Sequence, residues 1–126
     1  MCSPHWLFFL LQAIMIEEID IWRTSLMKSM ETTQLLELLD ANEDLYIIDV
    51  REEDEVAHGM IPGAQHIALG TIPERLEELD ETKPYIIVCK AGGRSANACS
   101  YLEAQGFDVT NLEGGMLAYD GELEFK

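Results

Sequence analysis

From Met27 onward, short uninterrupted apolar runs alternate with stretches of helical spacing. Leu45-Tyr46-Ile47-Ile48 and Tyr85-Ile86-Ile87-Val88 are apolar throughout, as strands covered on both faces are. His66-Ile67-Ala68-Leu69 reads as a brief strand and Val109 to Leu112 as a last one. Thr32 and Thr33 can cap a helix that carries Leu35, Leu36 and Leu39 on one face. Glu52 to His58 reads as a short acidic helix broken by Gly59. Pro73 opens a helix with Ile72, Leu76 and Leu79 at helical spacing. A further helix runs from Arg94 and closes at Gly106, with Phe107 behind it. Asn42-Glu43-Asp44, Ile61-Pro62-Gly63-Ala64 and Lys83-Pro84 are turn and loop chemistry. Gly114-Gly115 is read as a turn that brings a terminal helix close, with no further role. Strands alternating with helices predict a parallel α/β sheet. Ligands of such sheets bind beyond the carboxyl ends of the strands, where Asp49 and Cys89 both stand.

The first 26 residues break this pattern. Trp6 to Ile16 is an apolar run interrupted only by Gln12. It is too short for a bilayer span, which takes about 20 residues. As a secretion signal it lacks a basic start, and Glu17-Glu18 follows it in place of a small-residue cleavage site. Residues 1–26 are therefore read as an atypical upstream extension, and residues 27–126 as the domain. A helix docking on the domain, or pairing two chains, is the next reading, and a membrane anchor ranks last.

Composition narrows the function. With 126 residues, 48% of them hydrophobic and 25% charged, the chain is sized for one domain with a real core. Its 24 acids against 8 Lys and Arg, a net charge of −16, disfavour nucleic acid and anionic membranes as partners. The three cysteines, Cys2, Cys89 and Cys99, are odd in number and lack metal-ligand spacing. A disulfide scaffold is disfavoured and a cytoplasmic location expected. Cys99, five residues into the helix after the loop, reads as a small buried hydrophobe, with a resolving thiol as the competing reading.

The chemistry concentrates in Cys89-Lys90-Ala91-Gly92-Gly93-Arg94, between an apolar strand and a helix. Two of the eight basic residues fall in this window. A cysteine at a strand tip, before a glycine-permissive loop and a helix N-terminus, faces converging backbone N–H groups. Such an environment and adjacent cations lower a thiol pKa, and the thiolate is the nucleophile. His58 and His66 have no ligand-spaced partner and read as structural.

Four segments in order and spacing resemble the single-domain rhodaneses: Ile47-Ile48-Asp49-Val50-Arg51, Gly59 to Ala64, the loop Cys89 to Ser95, and Leu112-Glu113-Gly114-Gly115-Met116. The resemblance spans roughly residues 28 to 121. It implies an α/β fold with a central parallel sheet flanked by helices on both faces. It also implies Cys89 as the sulfur-carrying nucleophile, with a persulfide held by the loop Lys90, Ala91, Gly92, Gly93, Arg94 and Ser95. Lys90 and Arg94 would draw the anionic donor, and Asp49 and Arg51 would support the loop. Met60 stands where many members have His, and Tyr119 near a position that is commonly Trp; both departures bear on substrate shape. The implied reaction is transfer of a sulfane sulfur from a small anionic donor such as thiosulfate, through Cys89, to cyanide, a thiol or a protein acceptor. It needs neither metal nor organic cofactor.

Two other readings stay open. One is a protein-to-protein persulfide relay. The other is a cysteine phosphatase or arsenate reductase, but those loops hold one residue more than the four between Cys89 and Arg94.

Overall fold

The computed structural model describes residues 27–125; the expectations for residues 1–26, Cys2 among them, lie outside the described residues. Five strands form one parallel sheet in the order β1-β5-β4-β2-β3. They are β1 (Ser29–Met30), β2 (Tyr46–Asp49), β3 (Gln65–His66), β4 (Pro84–Val88) and β5 (Asp108–Leu112). The helices are α1 (Thr32–Asp40), α2 (Glu53–Val56), α3 (Gly93–Ala104) and α4 (Gly115–Ala118).

Alternation along the strands sorts side chains between two cores, because successive residues point to opposite faces. Ile48 and Val50, then Tyr85, Ile87 and Cys89, then Val109, join Ala98, Cys99 and Leu102 of α3 on one face. Ile47, then Ile86 and Val88, then Leu112, join Leu35 of α1, Met60, Ile61 and Tyr119 on the other. Both faces of the sheet are thus covered, which explains the unbroken apolar runs of β2 and β4.

Some local expectations needed correction. Strand β1 escaped the sequence reading because two residues carry no periodicity; pairing of Ser29 and Met30 with Asn111 and Leu112 defines it. The N-cap of α1 is Glu31, not a threonine. Thr32 lies inside the helix, and its hydroxyl donates to the Ala118 carbonyl at 3.2 Å. The stretch around Pro73 is not an α-helix but two 3-10 turns, Leu69–Glu74 and Leu76–Glu78. Leu69 and Ile72, then Leu76 and Leu79, form two i, i+3 pairs that pack on the α3-side core, and such pairs eclipse in a 3-10 geometry. Arg75, at φ −118°, separates them. By contrast, α3 ends as expected. Gly106 takes φ +96°, its N–H bonds Glu103 O at 3.0 Å, and the Phe107 N–H bonds Leu102 O at 3.0 Å; this is the double closure of a Schellman end.

The Gly114-Gly115 turn does more than redirect the chain. Both residues have positive φ, +76° and +54°. A Cβ on Gly115 would lie 2.3 Å from Cys89 O and 2.7 Å from Lys90 O. That close approach lets the Met116 and Leu117 amides donate to the Cys89 and Lys90 carbonyls, each at 2.9 Å. The start of α4 therefore clamps the outer side of the cysteine loop. Gly115→Ala combines a left-handed backbone with a steric clash, and is expected to cost about 2 kcal/mol or more. Urea unfolding of the variant measures this, and a midpoint equal to the parent's would contradict the clamp.

Candidate active site

Parity along β4 decides where Cys89 points. It shares the α3 face with Ile87, so its sulfur lies under the start of α3. Gly92 turns the loop there at φ +106°. A side chain on Gly92 would find room beside the Gly114 amide nitrogen but would sit on strained left-handed backbone. The turn brings the Gly92 N–H to 3.0 Å from Cys89 Sγ. Ser95, in the first turn of α3, places its hydroxyl 3.3 Å from the same sulfur. Burial by itself raises the thiol pKa. The Ser95 hydroxyl and the amides of Ser95, Gly92 and Ala91 outweigh it, and the net direction is below the ordinary cysteine value. Cys89 as a whole is only 1% exposed, so a reacting atom must come to the sulfur within the loop's own cradle.

Cys99 has the opposite environment. It is fully buried, and burial is the main cause that pushes its thiol up to about 12. Burial dominates at Cys99, whereas at Cys89 the Ser95 hydroxyl and the nearby amides outweigh it.

The cations are arranged differently from what their positions in the chain suggest. Both terminal nitrogens of Arg94 donate to Glu55 of α2, at 2.6 and 2.7 Å. Glu55 also accepts the Glu52 N–H at 3.0 Å, completing a capping box that fixes α2. The Arg94 fork holds the Glu55 carboxyl down to about 2. Arg94 is therefore charge-compensated at the loop, while Lys90 is exposed beside it. Arg51 and Asp49 form a buried pair. Arg51 Nε and Nη2 donate to the Asp49 carboxylate at 2.8 to 3.0 Å, and the guanidinium reaches on to Gly59 O at 2.8 Å and Glu55 O at 3.3 Å. The pair ties the end of β2 to the C-terminal half of α2 and to its exit at Gly59. Removing one partner of such a pair strands a buried charge, which typically costs about 3–5 kcal/mol.

Arg51, Glu55, His58, Lys90, Met116 and Leu117 line a cleft of about 240 Å³ beside the loop. Two clefts of about 520 Å³ lie elsewhere, and no loop residue lines them. His66 is held through Nε2 against Arg51 O at 2.6 Å. Met60 and Tyr119 are core residues, the tyrosine hydroxyl donating to Glu122 O at 2.6 Å. Among the described residues, no cluster of three or more His, Cys, Asp or Glu could hold a metal ion. No described helix is long and apolar enough to cross a membrane.

Three contributors escaped the sequence reading. Glu55 was one acid among many; its spacing from Glu52 marks a capping box, but nothing in the chain pairs it with Arg94. Gly115 carried a glycine signal with no indication of what approaches it. Asn111 lies on β5 opposite Ile87, accepts from Ser95 Oγ through Oδ1 and donates to Gly92 O at 3.3 Å. Only the adjacency of β4 and β5 brings it to the loop.

Comparison with known proteins agrees with this architecture. The family model described as "Rhodanese-like domain" matches residues 31–122. The chain is 52% identical over 99 residues to the "Putative sulfurtransferase YtwF" of Bacillus subtilis, covering 79% of this chain and 96% of that one. It is 39% identical over 100 residues to the "Thiosulfate sulfurtransferase GlpE" of Pseudoalteromonas translucida, covering 79% and 94%. The crystal structure of a rhodanese-like domain protein from Staphylococcus aureus superposes with a TM-score of 0.76 at 44% identity, covering 79% of this chain and 99% of that one. By sequence and by fold, this chain belongs to the rhodanese family, in which its relatives bear the name sulfurtransferase.

Proposed function

We propose that the chain is a sulfurtransferase that carries a sulfane sulfur on Cys89. The observation that supports this most directly is the cysteine sulfur held 3.0 Å from the Gly92 N–H, with the Ser95 hydroxyl and further amides stabilising its anion. The Cys89 thiolate attacks the outer sulfur of thiosulfate. A new S–S bond forms, the donor S–S bond breaks with its electron pair, and sulfite leaves. The negative charge now sits on the outer persulfide sulfur, inside the loop. A cyanide ion or an acceptor thiolate then attacks that outer sulfur, takes it, and returns Cys89 as the thiolate. The two halves are covalent catalysis with ping-pong kinetics. The Ala91, Gly92 and Ser95 amides bear the charge in both halves, as preorganised donors do in an oxyanion site. Lys90 attracts the anionic donor at the cleft, Arg94 lends a compensated charge, and Asp49 with Arg51 holds α2 in register against the loop.

The relay reading keeps the same Cys89 chemistry with a protein as acceptor. Leu117, 70% exposed on the rim of the cleft, supports it. The phosphatase reading is the weaker one. A tetrahedral phosphate needs a wider loop and an arginine fork free to take two of its oxygens, and both Arg94 nitrogens lie on Glu55.

Intact mass after thiosulfate treatment is expected to rise by one sulfur atom. The rise should disappear in Cys89→Ser and persist in Cys99→Ser, and labelling at Cys99 instead would overturn the assignment. Cyanide turnover of the loaded protein then separates enzyme from relay: fast discharge marks the former, and a persulfide that cyanide scarcely removes marks the latter.

Glu55 offers a second test, in acid. Its folded pKa of about 2 lies below its ordinary 4.5, so the ionised pair stabilises the fold fully above pH 4.5. That contribution is lost as pH falls through about 2. Glu55→Gln is expected to flatten the loss of stability across this window, read from urea midpoints at stepped pH. A variant whose acid limb parallels the parent's would show that the pair contributes nothing to folding.

A further inference from the structure

The Ser95 hydroxyl has one proton and three acceptors around it. Cys89 Sγ lies at 3.3 Å and Gly92 O at 3.2 Å. Asn111 Oδ1 is the third, and it accepts from the hydroxyl. A hydroxyl donates along one direction at a time. The Asn111 amide is oriented by its Nδ2–H, which donates to Gly92 O at 3.3 Å; turned over, it would aim its oxygen at that carbonyl. Asn111 thus presents an acceptor to Ser95, and Ser95 and Asn111 are 0% and 9% exposed, so bulk water competes little for the proton.

We propose that Asn111 is a positioning residue that draws the Ser95 proton away from Cys89 and so restrains the cysteine from ionising before a donor arrives. In the resting site the proton order runs Cys89 S–H to Ser95 O, and Ser95 O–H to Asn111 Oδ1. When the thiol loses its proton, Ser95 must rotate its O–H from Asn111 to the sulfur to stabilise the charge. The hydrogen bond from Ser95 to Asn111 opposes that rotation. The assignment rests on Cys89 being the sulfur-bearing nucleophile, and it gives β5 a part in setting the readiness of a residue on β4.

Other charged and titratable groups lie on the elements around the loop. Arg94 of α3 is held by Glu55 of α2, Lys90 follows in the loop, Cys99 of α3 remains a thiol, and Asp49 at the end of β2 is held by Arg51. Asn111 bonds Ser95 and Gly92 through its side chain, so a substitution there leaves the charges of these groups in place.

The test is the pH dependence of Cys89 alkylation by iodoacetamide, read peptide by peptide on the full chain so that Cys2 and Cys99 do not contribute. Asn111→Ala is expected to shift the midpoint to lower pH, by roughly half a unit or more on the scale of a single hydrogen bond to a charged group. Asn111→Leu, which fills the space without an acceptor, is expected to do the same and stands in if the alanine variant fails to fold. Ser95→Ala should move the midpoint up, and in that background Asn111→Leu should add nothing. A midpoint that stays or rises in the folded Asn111 variants, or a downward shift that survives without Ser95, would overturn the proposal. Alkylation reads the thiol alone, whereas sulfur loading by intact mass reads the transfer reaction. Normal loading with an unmoved midpoint therefore defeats only the role of Asn111, and a moved midpoint without loading defeats the sulfurtransferase reading.

Discussion

The Gly92 N–H on Cys89 Sγ, at 3.0 Å, is the contact on which the site depends, and it is made possible by three separate parts of the fold. Strand parity sends Cys89 to the face covered by α3. A left-handed Gly92 turns the loop back over the sulfur. The Gly114-Gly115 turn comes close enough for α4 to hold the Cys89 and Lys90 carbonyls from outside. The Gly92 N–H faces the sulfur while the Cys89 and Lys90 carbonyls are bonded outward to α4. That division matters, because carbonyl oxygens turned toward an anionic sulfur would cancel the stabilisation the amides provide.

Charge is handled by pairing. In a chain with 24 acids, an arginine at the loop could be expected to attract substrate anions alone. Here Arg94 is occupied by Glu55, and Arg51 by Asp49. The two pairs converge on α2, since Arg51 also bonds the Glu55 carbonyl and the Gly59 carbonyl at the helix exit. A four-residue helix has too few internal hydrogen bonds to be stable by itself; these ion pairs and its capping box hold it against the loop. The arginine charge near the sulfur is consequently fixed and balanced, and the stabilisation of a sulfur anion falls to the Ser95 hydroxyl and to backbone dipoles.

The chain alone was enough to establish the class of fold, and it singled out Cys89 as the candidate nucleophile. Unbroken apolar runs at β2 and β4 can be satisfied only by cover on both faces, and a cysteine between such a strand, paired glycines and a helix start has few inert explanations. Local signals also placed the end of α3, because the Gly106 closure involves only neighbours in sequence. They failed where neighbours were not sufficient. The spacing of Ile72, Leu76 and Leu79 suits an α-helix as well as two 3-10 turns, and packing against the α3-side core distinguishes them. The tertiary structure decided the partner of Arg94, the purpose of Gly115 and the presence of Asn111 beside the loop. Each depends on which strands lie side by side and how closely two backbones approach. A period or a motif describes how a residue relates to its own segment, whereas an ion pair across 39 positions or a carbonyl 2.3 Å from an absent Cβ exists only once the sheet has assembled.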